Sequence, residues 1–286
     1  MENLANERVV REICRRFGFS FSKALGQNFL INPSVCPRIA EMGGAKEANV
    51  LEIGPGFGVL TVELARIAKR VLTIEIDSAV LPVLDETLSG LDNVRVIHGD
   101  ALKLDLRGLL EQEFHGEPAV VCANLPYYVT SPLIMTLLEQ RLPVEAITVM
   151  VQKEAALRLC AQMGTRACGA VTAAVRYYSE PRVLFPVSRG SFLPPPKVDS
   201  CVIRPDLRQA PFPVADEAFL FRLIRAAFSQ RRKTLANPVS AGLGLPKSTV
   251  TAALIELGIS PSARAEELSL EQFAALSDRL GEAAHG

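Results

Sequence analysis

Between residues 49 and 204 the chain alternates short apolar, β-branched runs with helical stretches, and glycine or polar turns separate them. This rhythm is typical of a doubly wound α/β domain. The runs are apolar almost throughout, as expected for parallel strands that helices cover on both faces. The sequence therefore predicts a mostly parallel, seven-stranded sheet. The predicted strands are Val50–Ile53, Val71–Ile76, Val94–His98, Val120–Ala123, Ile147–Gln152, Arg182–Val187 and Ser200–Arg204.

Strand signals end at the proline-rich stretch from Pro205 to Pro213, which we interpret as a linker. We therefore predict two domains, residues 1–206 with N-terminal helices and the sheet, and residues 207–286 as a small all-helical domain. The predicted helices are Leu4–Phe17, a segment beginning at Asn32-Pro33, Gly169–Tyr178, Glu217–Phe228, Pro246–Leu257 and Leu270–Leu280.

Composition excludes several kinds of site and partner. The 286 residues include 31 basic and 31 acidic ones, so any basic surface must be local. The six cysteines form no C-x-x-C pair and there are three histidines, so we expect neither a metal site nor a disulfide framework. No signal peptide and no membrane-spanning apolar run is visible, and we expect a cytoplasmic protein.

The first predicted strand runs into a turn with glycine at positions 54, 56 and 58. Glycine lets the backbone pass close to a small molecule at the carboxyl end of a strand. A dinucleotide-binding turn has the spacing G-x-G-x-x-G, and here the third glycine comes one residue early. The observed spacing is similar to that of class I methyltransferases, whose ligand lacks phosphate, with Gly54 and Gly56 as contacts. A tight turn without any ligand is the alternative.

Two carboxylates follow the next two predicted strands at the same edge of the sheet. Glu75 closes the second strand about twenty residues after the glycines, where it can accept hydrogen bonds from both ribose hydroxyls of a nucleoside ligand. Asp100 follows the third strand and can accept one from the adenine amino group. Either residue alone is more often a solvated carboxylate. Asp77 is a second candidate for the ribose contact.

The fourth predicted strand ends in Asn124-Leu125-Pro126-Tyr127-Tyr128. The exocyclic nitrogen of adenine is a poor nucleophile because its lone pair is delocalised into the ring. The Asn124 side-chain oxygen and the Leu125 carbonyl, held outward by Pro126, can accept its hydrogens and localise that lone pair. Tyr127 can stack on the base, a contact worth about 1–3 kcal/mol. An Asn-Pro turn with tyrosines packed in the core is the alternative.

Five segments together resemble the KsgA (RsmA) family of ribosomal RNA small-subunit adenine N6,N6-dimethyltransferases. They are the glycine turn, residues 124–127, 21–30 (Phe-Ser-Lys-Ala-Leu-Gly-Gln-Asn-Phe-Leu), 191–200 (Ser-Phe-Leu-Pro-Pro-Pro-Lys-Val-Asp-Ser) and 227–235 (Ala-Phe-Ser-Gln-Arg-Arg-Lys-Thr-Leu). The resemblance implies a Rossmann-like class I methyltransferase fold with a helical C-terminal domain, and S-adenosylmethionine as cofactor. It further implies dimethylation of two adjacent adenines in a hairpin loop near the 3′ end of 16S rRNA, on an immature small subunit.

Further residue roles follow from this resemblance alone. It implies that Asn28 and Leu30 contact S-adenosylmethionine, as does Asn124, and that Phe192 stacks on the target base opposite Tyr127. One stretch departs from the family pattern, since residues 162–169 read Gln-Met-Gly-Thr-Arg-Ala-Cys-Gly where a Pro-Gly turn and a Tyr-Gly pair are usual. We expect the enzyme to act as a monomer.

A basic cluster without acidic residues falls in the predicted helical domain. Such clusters bind nucleic-acid phosphates, and we predict RNA contacts here, although for any single member a solvated helix face is the alternative. A second basic group near the N-terminus stays open, with Arg8, Arg11 and Arg15 at helical spacing and Arg16 and Lys23 nearby. The residues of the first cluster are Arg222, Arg225, Arg231, Arg232 and Lys233.

Three other functions compete with this interpretation. The 23S rRNA methyltransferases of the macrolide-resistance type share the glycine turn and the Asn-x-Pro-Tyr signature, but the Arg-Arg-Lys-Thr-Leu segment at 231–235 favours the small-subunit type. A binding factor that gates ribosome assembly would leave the intact catalytic segment without a purpose. A dinucleotide oxidoreductase is disfavoured by the glycine spacing.

Overall fold

The computed structural model describes residues 3–21, 26–127, 129–209 and 212–285. Residues 22–25 of the segment 21–30, which include Lys23, lie outside these ranges, and so does Tyr128. The chain divides into two compact units. The first unit comprises Met1–Ala156 and Pro181–Leu207, and the second comprises Leu157–Glu180 and Arg208–Gly286. The sequence had placed residues 157–180 with the sheet, whereas the structure groups them with the C-terminal helices.

A seven-stranded sheet in the order β4-β3-β2-β5-β6-β9-β7 forms the centre of the first unit as described. The neighbours from β4 to β6 run parallel, and β9 is antiparallel to β6. The predicted mostly parallel sheet is confirmed. The strands are β1 Phe29–Leu30, β2 Asn49–Ile53, β3 Arg70–Glu75, β4 Val94–His98, β5 Ala119–Asn124, β6 Val144–Gln152, β7 Ser179–Val187, β8 Phe192–Leu193 and β9 Ser200–Leu207.

Burial along the strands explains why the sequence predicts them as continuous apolar runs. The central strand β2 is buried at every position, and β5 is buried at all but its last residue, Asn124. The two edge strands are more exposed, since β4 exposes Arg95 and His98 and β7 exposes residues that include Glu180 and Arg182. Helices on both faces remove the solvated side that would otherwise produce an alternating pattern.

The helices of the first unit connect these strands. Two predicted starts shift by two or three residues because side chains cap the turns. Asn6 accepts a hydrogen bond from the Arg8 amide at 2.9 Å and so caps α1. Asn32 accepts a hydrogen bond from the Ser34 amide at 3.1 Å, and α2 begins only after this turn, at Val35. The helices are α1 Glu7–Arg16, α2 Val35–Met42, α3 Val59–Ala65, α4 Leu81–Thr87, α5 Leu106–Phe114, α6 Thr130–Glu139 and α7 Lys153–Leu159, which runs past the end of this unit.

The second unit packs helices around a core that includes Leu223, Leu254 and Phe273. Its helices are α8 Ala170–Tyr178, α9 Glu217–Phe228, α10 Ala236–Leu243, α11 Lys247–Glu256 and α12 Leu270–His285. The sequence missed α10 because it contains Pro238. Proline is tolerated there because the amides of a first helical turn have no acceptor within the helix. Throughout the described ranges, every helix is too short or too polar to cross a bilayer.

Candidate active site

A cavity opens at the carboxyl ends of β2, β3 and β5. Ile53 pairs with Ile74 on one side and with Ala123 on the other, so the last or next residues of the three strands lie side by side. All the residues predicted to bind the cofactor or the adenine line this cavity. They are Asn28, Leu30, Gly54, Gly56, Glu75, Asp100, Asn124, Leu125, Pro126, Tyr127 and Phe192.

The three glycines of the turn have positive φ angles of 70°, 56° and 83°, which side chains rarely adopt. A Cβ atom added to Gly54 would meet nothing within 4 Å, so this glycine leaves the cavity wall open. A Cβ atom on Gly58 would lie 2.8 Å from Leu88 Cδ2. The early third glycine therefore permits close packing of α3, and it does not line the cavity.

Backbone amides hold the buried carboxyl group of Glu75. It accepts hydrogen bonds from the amides of Asp77 at 2.8 Å and Gly56 at 3.3 Å. Burial raises the pKa of Glu75, against the opposing effect of these two amides. Asp77 is engaged elsewhere, because its oxygens accept from the Ala79 amide and, at 2.7 Å, from Gln27 Nε2. Asp77 is absent from the described lining, which favours Glu75 for a ligand contact.

Asp100 lies half-buried on the cavity wall, which also includes two exposed apolar side chains. Its Oδ1 accepts from the Leu102 amide at 3.0 Å, and Lys103 Nζ lies 3.4 Å from Oδ2. Ile76 and Leu102 line the cavity although their exposed fractions are 51% and 40%. The sequence analysis missed both residues. Their position, directly after or close to a carboxylate at a strand end, was the available signal.

Asn124 and Leu125 present free acceptors to the cavity. Within the described residues the Asn124 side chain has no hydrogen-bond partner, and the Leu125 carbonyl receives no donor. The Pro126 carbonyl is occupied, because it accepts from the Val129 amide at 3.1 Å and from Thr130 Oγ1 at 3.2 Å. Of the two neighbouring carbonyls, only that of Leu125 is therefore available to a ligand.

The ring of Tyr127 is held by a hydrogen bond that the sequence did not predict. Its hydroxyl lies 2.8 Å from the Oγ of Ser200, the fully buried first residue of β9. Burial raises the pKa of the Tyr127 hydroxyl, so the ring stays neutral. Ser200 is the last residue of the segment 191–200, which thereby acquires a structural link to the cavity.

A two-stranded ladder brings distant parts of the chain to the cavity. β1 and β8 are antiparallel, with Leu30 opposite Phe192 and Phe29 opposite Leu193. Phe192, with an exposed fraction of 2%, lines the cavity beside Leu30. Two-residue strands carry no periodicity that a sequence pattern could reveal. The family resemblance named these residues, but only the ladder shows that they are neighbours.

Aromatic packing fastens the N-terminal segment to the glycine turn. The rings of Phe29 and Phe57 stack with their centroids 4.1 Å apart, and Phe19 meets Phe57 edge-on at 5.1 Å. Phe57 is almost fully buried, so its place inside the turn serves packing rather than ligand contact. This cluster positions Asn28 and Leu30, which flank Phe29, at the cavity.

Glu52 is a buried carboxyl group on the cavity wall that the sequence analysis overlooked. It accepts a hydrogen bond from Thr61 Oγ1 at 2.6 Å, and burial raises its pKa to about 8. With that pKa Glu52 is mostly protonated at neutral pH, so Glu75 and Asp100 are the acidic groups on which the charge of the cavity depends, whereas the described lining contains no lysine, arginine or histidine. Such a wall favours a ligand with positive charge over one with phosphates. The described residues also include no group of three or more His, Cys, Asp or Glu side chains that could hold a metal ion.

The predicted basic cluster of the second unit is exposed, but its members differ in what they contact. Arg231 donates to the carbonyls of Arg166 at 2.8 Å and Cys168 at 3.1 Å, and it pairs with Glu266. It therefore stabilises the stretch 162–169 that departs from the family pattern. Arg222 lies over the ring of Phe219. Within the described residues Arg225, Arg232 and Lys233 form no ion pair.

A family model described as "Ribosomal RNA adenine dimethylase" matches residues 18–282. The chain belongs to the ribosomal RNA adenine dimethylase family. Membership identifies it as an rRNA methyltransferase, as the sequence predicted. The match includes the cavity and both units, so the predicted fold class and the family resemblance are confirmed.

Curated relatives and solved structures agree with this family assignment. The chain is 47% identical to "Ribosomal RNA small subunit methyltransferase A" of Geobacillus thermodenitrificans, over 98% of this chain and 97% of the relative. Identity to the protein of the same name from Bacillus licheniformis is 46%, over 98% of each. A dimethyladenosine transferase from Plasmodium falciparum has a TM-score of 0.73 at 30% identity and covers 87% of this chain and 95% of its own. The 23S rRNA methyltransferase ErmE has a TM-score of 0.69 at 29% identity, and the match covers 89% of this chain and 100% of ErmE.

The variant Glu52→Gln tests the buried carboxyl group. Folded Glu52 has a pKa of about 8 against 4.5 for the ordinary group, so its contribution to stability is complete below about pH 4.5 and is lost as the pH rises through about 8. Glutamine keeps an acceptor for Thr61 without the charge. Between about pH 5 and about pH 8.5 the free energy of unfolding should therefore fall more steeply for the wild type than for the variant.

Urea denaturation across this pH range measures the difference. Glu117→Gln is the control, because Glu117 is exposed and Lys69 holds its pKa below the ordinary value. That control should follow the wild type over the range. Parallel pH profiles for the wild type and Glu52→Gln would contradict the prediction.

The hydrogen bond between Tyr127 and Ser200 gives a second test. Ser200→Ala and Tyr127→Phe each remove it, at a cost of about 1 kcal/mol, so each should lower the rate of methyl transfer about five-fold. The double variant should be no slower than either single one. Steady-state kinetics measure this, with Ser277→Ala as the control for loss of a buried serine hydroxyl in the second unit. Additive losses in the double variant would show that the two hydroxyls act separately.

Proposed function

We propose that this enzyme transfers methyl groups from S-adenosylmethionine to the N6 atoms of two adjacent adenines near the 3′ end of 16S rRNA. The observation that carries the proposal is that Asn124, with its free amide, lies on the same cavity wall as Gly54 and Glu75. A donor site and an acceptor for adenine hydrogens thus adjoin. The relatives that are 46–47% identical over nearly their whole length are named small-subunit enzymes, which favours 16S over 23S rRNA.

The cavity suits S-adenosylmethionine in charge and in the placement of its acceptors. This molecule carries a cationic sulfonium, a cationic amino group and one carboxylate, so it is positive overall, and the described lining has Glu75 and Asp100 besides the mostly protonated Glu52 and no basic side chain. Glu75 accepts hydrogen bonds from the ribose hydroxyls, and Asp100 accepts one from the adenine amino group. Ile76 and Leu102 provide apolar surface for the purine. A dinucleotide would instead bring its pyrophosphate to an acidic wall, so the oxidoreductase alternative is disfavoured.

When bound, S-adenosylmethionine supplies an electrophilic methyl group. The protein makes the adenine nitrogen nucleophilic. Asn124 Oδ1 and the Leu125 carbonyl accept the two N6 hydrogens, and this favours a pyramidal nitrogen with a localised lone pair. Tyr127 and Phe192 hold the base between them. The hydroxyl of Tyr127 is engaged with Ser200 Oγ and is not required as a base, because the proton that the methylated nitrogen releases passes to solvent.

The remaining expectations concern partners and location. We expect the enzyme to act as a cytoplasmic monomer, without a metal, on an immature small subunit. The helical second unit contacts RNA phosphates through Arg222, Arg225, Arg232 and Lys233, which are exposed. Arg231 belongs to the same predicted cluster, and its bonds to residues 166 and 168 hold the adjoining stretch in place.

Asn124→Ala tests the proposed role of the amide. The variant should retain its affinity for S-adenosylmethionine but lose turnover by about a hundred-fold or more, since one of the two preset acceptors is missing. Mass spectrometry of 16S rRNA incubated with labelled donor measures the transfer, and primer extension on 16S and 23S rRNA locates it. Asn93→Ala is the control, because Asn93 bonds the Ala65 and Ala68 carbonyls at the other end of the strands. Unchanged turnover in Asn124→Ala would remove this mechanism.

Glu75→Ala tests the donor contact. Loss of two hydrogen bonds to a carboxylate should weaken binding of S-adenosylmethionine about ten- to hundred-fold and leave RNA affinity nearly unchanged. Calorimetry with each ligand measures both. Asp77→Asn is the matched control, because Asp77 lies two residues away and does not line the cavity as described. A larger loss in Asp77→Asn than in Glu75→Ala would assign the ribose contact to Asp77.

A further inference from the structure

Three exposed basic residues, Lys153, Arg189 and Lys197, lie on segments that adjoin the proposed adenine pocket. Lys153 directly follows β6, whose carboxyl end is at the same sheet edge as Asn124. Arg189 begins the short 3₁₀ turn Arg189–Ser191 that leads into Phe192. Lys197 lies in the connection between β8 and β9. We call these three residues the basic rim.

Hydrogen bonds through Asp199 hold the backbone of the basic rim together. The Lys153 amide donates to the Asp199 carbonyl at 3.0 Å, and the Arg189 amide donates to Asp199 Oδ1 at 2.9 Å. Lys197 is two residues before Asp199. Ser200, the next residue, lies opposite Gln152 in the β6–β9 ladder and bonds the Tyr127 hydroxyl. The backbone of Lys153 and Arg189 is therefore bonded to Asp199, the neighbour of the serine that holds the Tyr127 ring, and Lys197 is two residues from it.

The positive charges of the basic rim are not neutralised by carboxylates in the described part of the chain. Within the described residues none of its three side chains forms an ion pair, whereas Arg66, Lys69 and Arg182 of the same unit pair with Glu63, Glu117 and Asp206. Two acids lie in the same segments, Asp199 and Glu154. One carboxylate oxygen of Asp199 already accepts from the Arg189 amide, and Glu154 has an interaction of its own. The rim is therefore locally positive although the chain as a whole is neutral.

We propose that Lys153, Arg189 and Lys197 bind the RNA phosphates that flank the target adenine. This inference rests on the proposed function. An adenine reaches Asn124 only after it has left its base stack, and its backbone then turns at the mouth of the pocket. Cations at that mouth hold the flanking phosphates and keep the strand in the turned conformation. The rim residues do not line the cavity, so they act on the RNA strand and not on the methyl donor.

The triple variant Lys153→Gln, Arg189→Gln and Lys197→Gln tests the basic rim. Fluorescence anisotropy measures its binding to a hairpin RNA with the 3′-terminal 16S sequence over a series of salt concentrations. The slope of log affinity against log salt concentration should become shallower by about 2, since each phosphate contact contributes about 0.7 for single strands. Affinity at low salt should fall about ten-fold or more, with a matching rise in KM for the RNA. Calorimetry should show wild-type affinity for S-adenosylmethionine.

Lys46→Gln is the matched control. Lys46 is exposed, forms no ion pair within the described residues, and precedes β2 at the amino end of the strands, away from the pocket. It should bind RNA like the wild type. Arg189→Lys, which keeps the charge, should retain most of the affinity. The single variant Lys197→Gln, in an exposed connection, repeats the test should the triple variant fold poorly, and its slope should change by about 0.7.

The outcomes separate this inference from the proposed function. If folded rim variants bind RNA with the affinity and salt dependence of the wild type, the proposal that the basic rim binds phosphates is wrong. A loss as large in Lys46→Gln as in the rim variants would overturn it too, because the effect would then come from charge in general. If the wild type transfers no methyl group to 16S rRNA, the proposed function fails, while a shallower slope in the rim variants still supports the phosphate contacts.

Discussion

The parallel pairing of β2 with β3 and β5 is the constraint on which the site depends. Because Ile53 lies opposite both Ile74 and Ala123, the residues that follow, Gly54, Glu75 and Asn124, meet at one edge of the sheet. The Gly54 amide donates to the Ile74 carbonyl at 2.9 Å and extends this pairing into the turn. A shift of the register by one residue would turn the Glu75 side chain to the other face of the sheet. Burial of all three strands makes such a shift costly.

Hydrogen bonds inside the protein decide which polar groups remain for a ligand. Asp77 is two residues from Glu75 and Pro126 lines the cavity, yet donors within the protein occupy both groups. Gln27 and the Ala79 amide donate to Asp77. The Val129 amide and Thr130 Oγ1 donate to the Pro126 carbonyl. Asn124 and the Leu125 carbonyl have no such partners in the described part of the chain. Two acceptors that the described residues leave unpaired on one cavity wall are available to a ligand with two hydrogen-bond donors. Adenine, with its two amino hydrogens, matches that number.

Charge is separated within the first unit although the whole sequence is neutral. Acidic groups line the cavity, where a cationic methyl donor is expected, and the basic rim lies on the segments around it, where RNA is expected. The acids are partly or fully buried and the cations are exposed. This arrangement reconciles a net charge of zero with a nucleic-acid substrate, because phosphates respond to local fields within about 10 Å at ordinary ionic strength.

The sequence by itself determined the strands, the glycine turn and the acids at the strand ends. These features are local, since burial on both faces produces continuous apolar runs and a positive φ angle favours glycine. It misplaced the start of α2 and omitted α10, where an Asx turn and a proline in the first helical turn obscured the helix. The resemblance to a known family supplied Asn28, Leu30 and Phe192, which no spacing rule would have selected.

The tertiary structure alone decided which of the remaining side chains meet. Ser200 reaches Tyr127 across 73 residues of sequence, Phe29 stacks on Phe57, and β1 pairs with β8. Arg231, indistinguishable from its basic neighbours in the sequence, turned out to bond the stretch 162–169. Each of these contacts joins segments that are far apart in the chain. Their energy arises only when the folded sheet and helices bring both partners together, and a local pattern contains no information about the second partner.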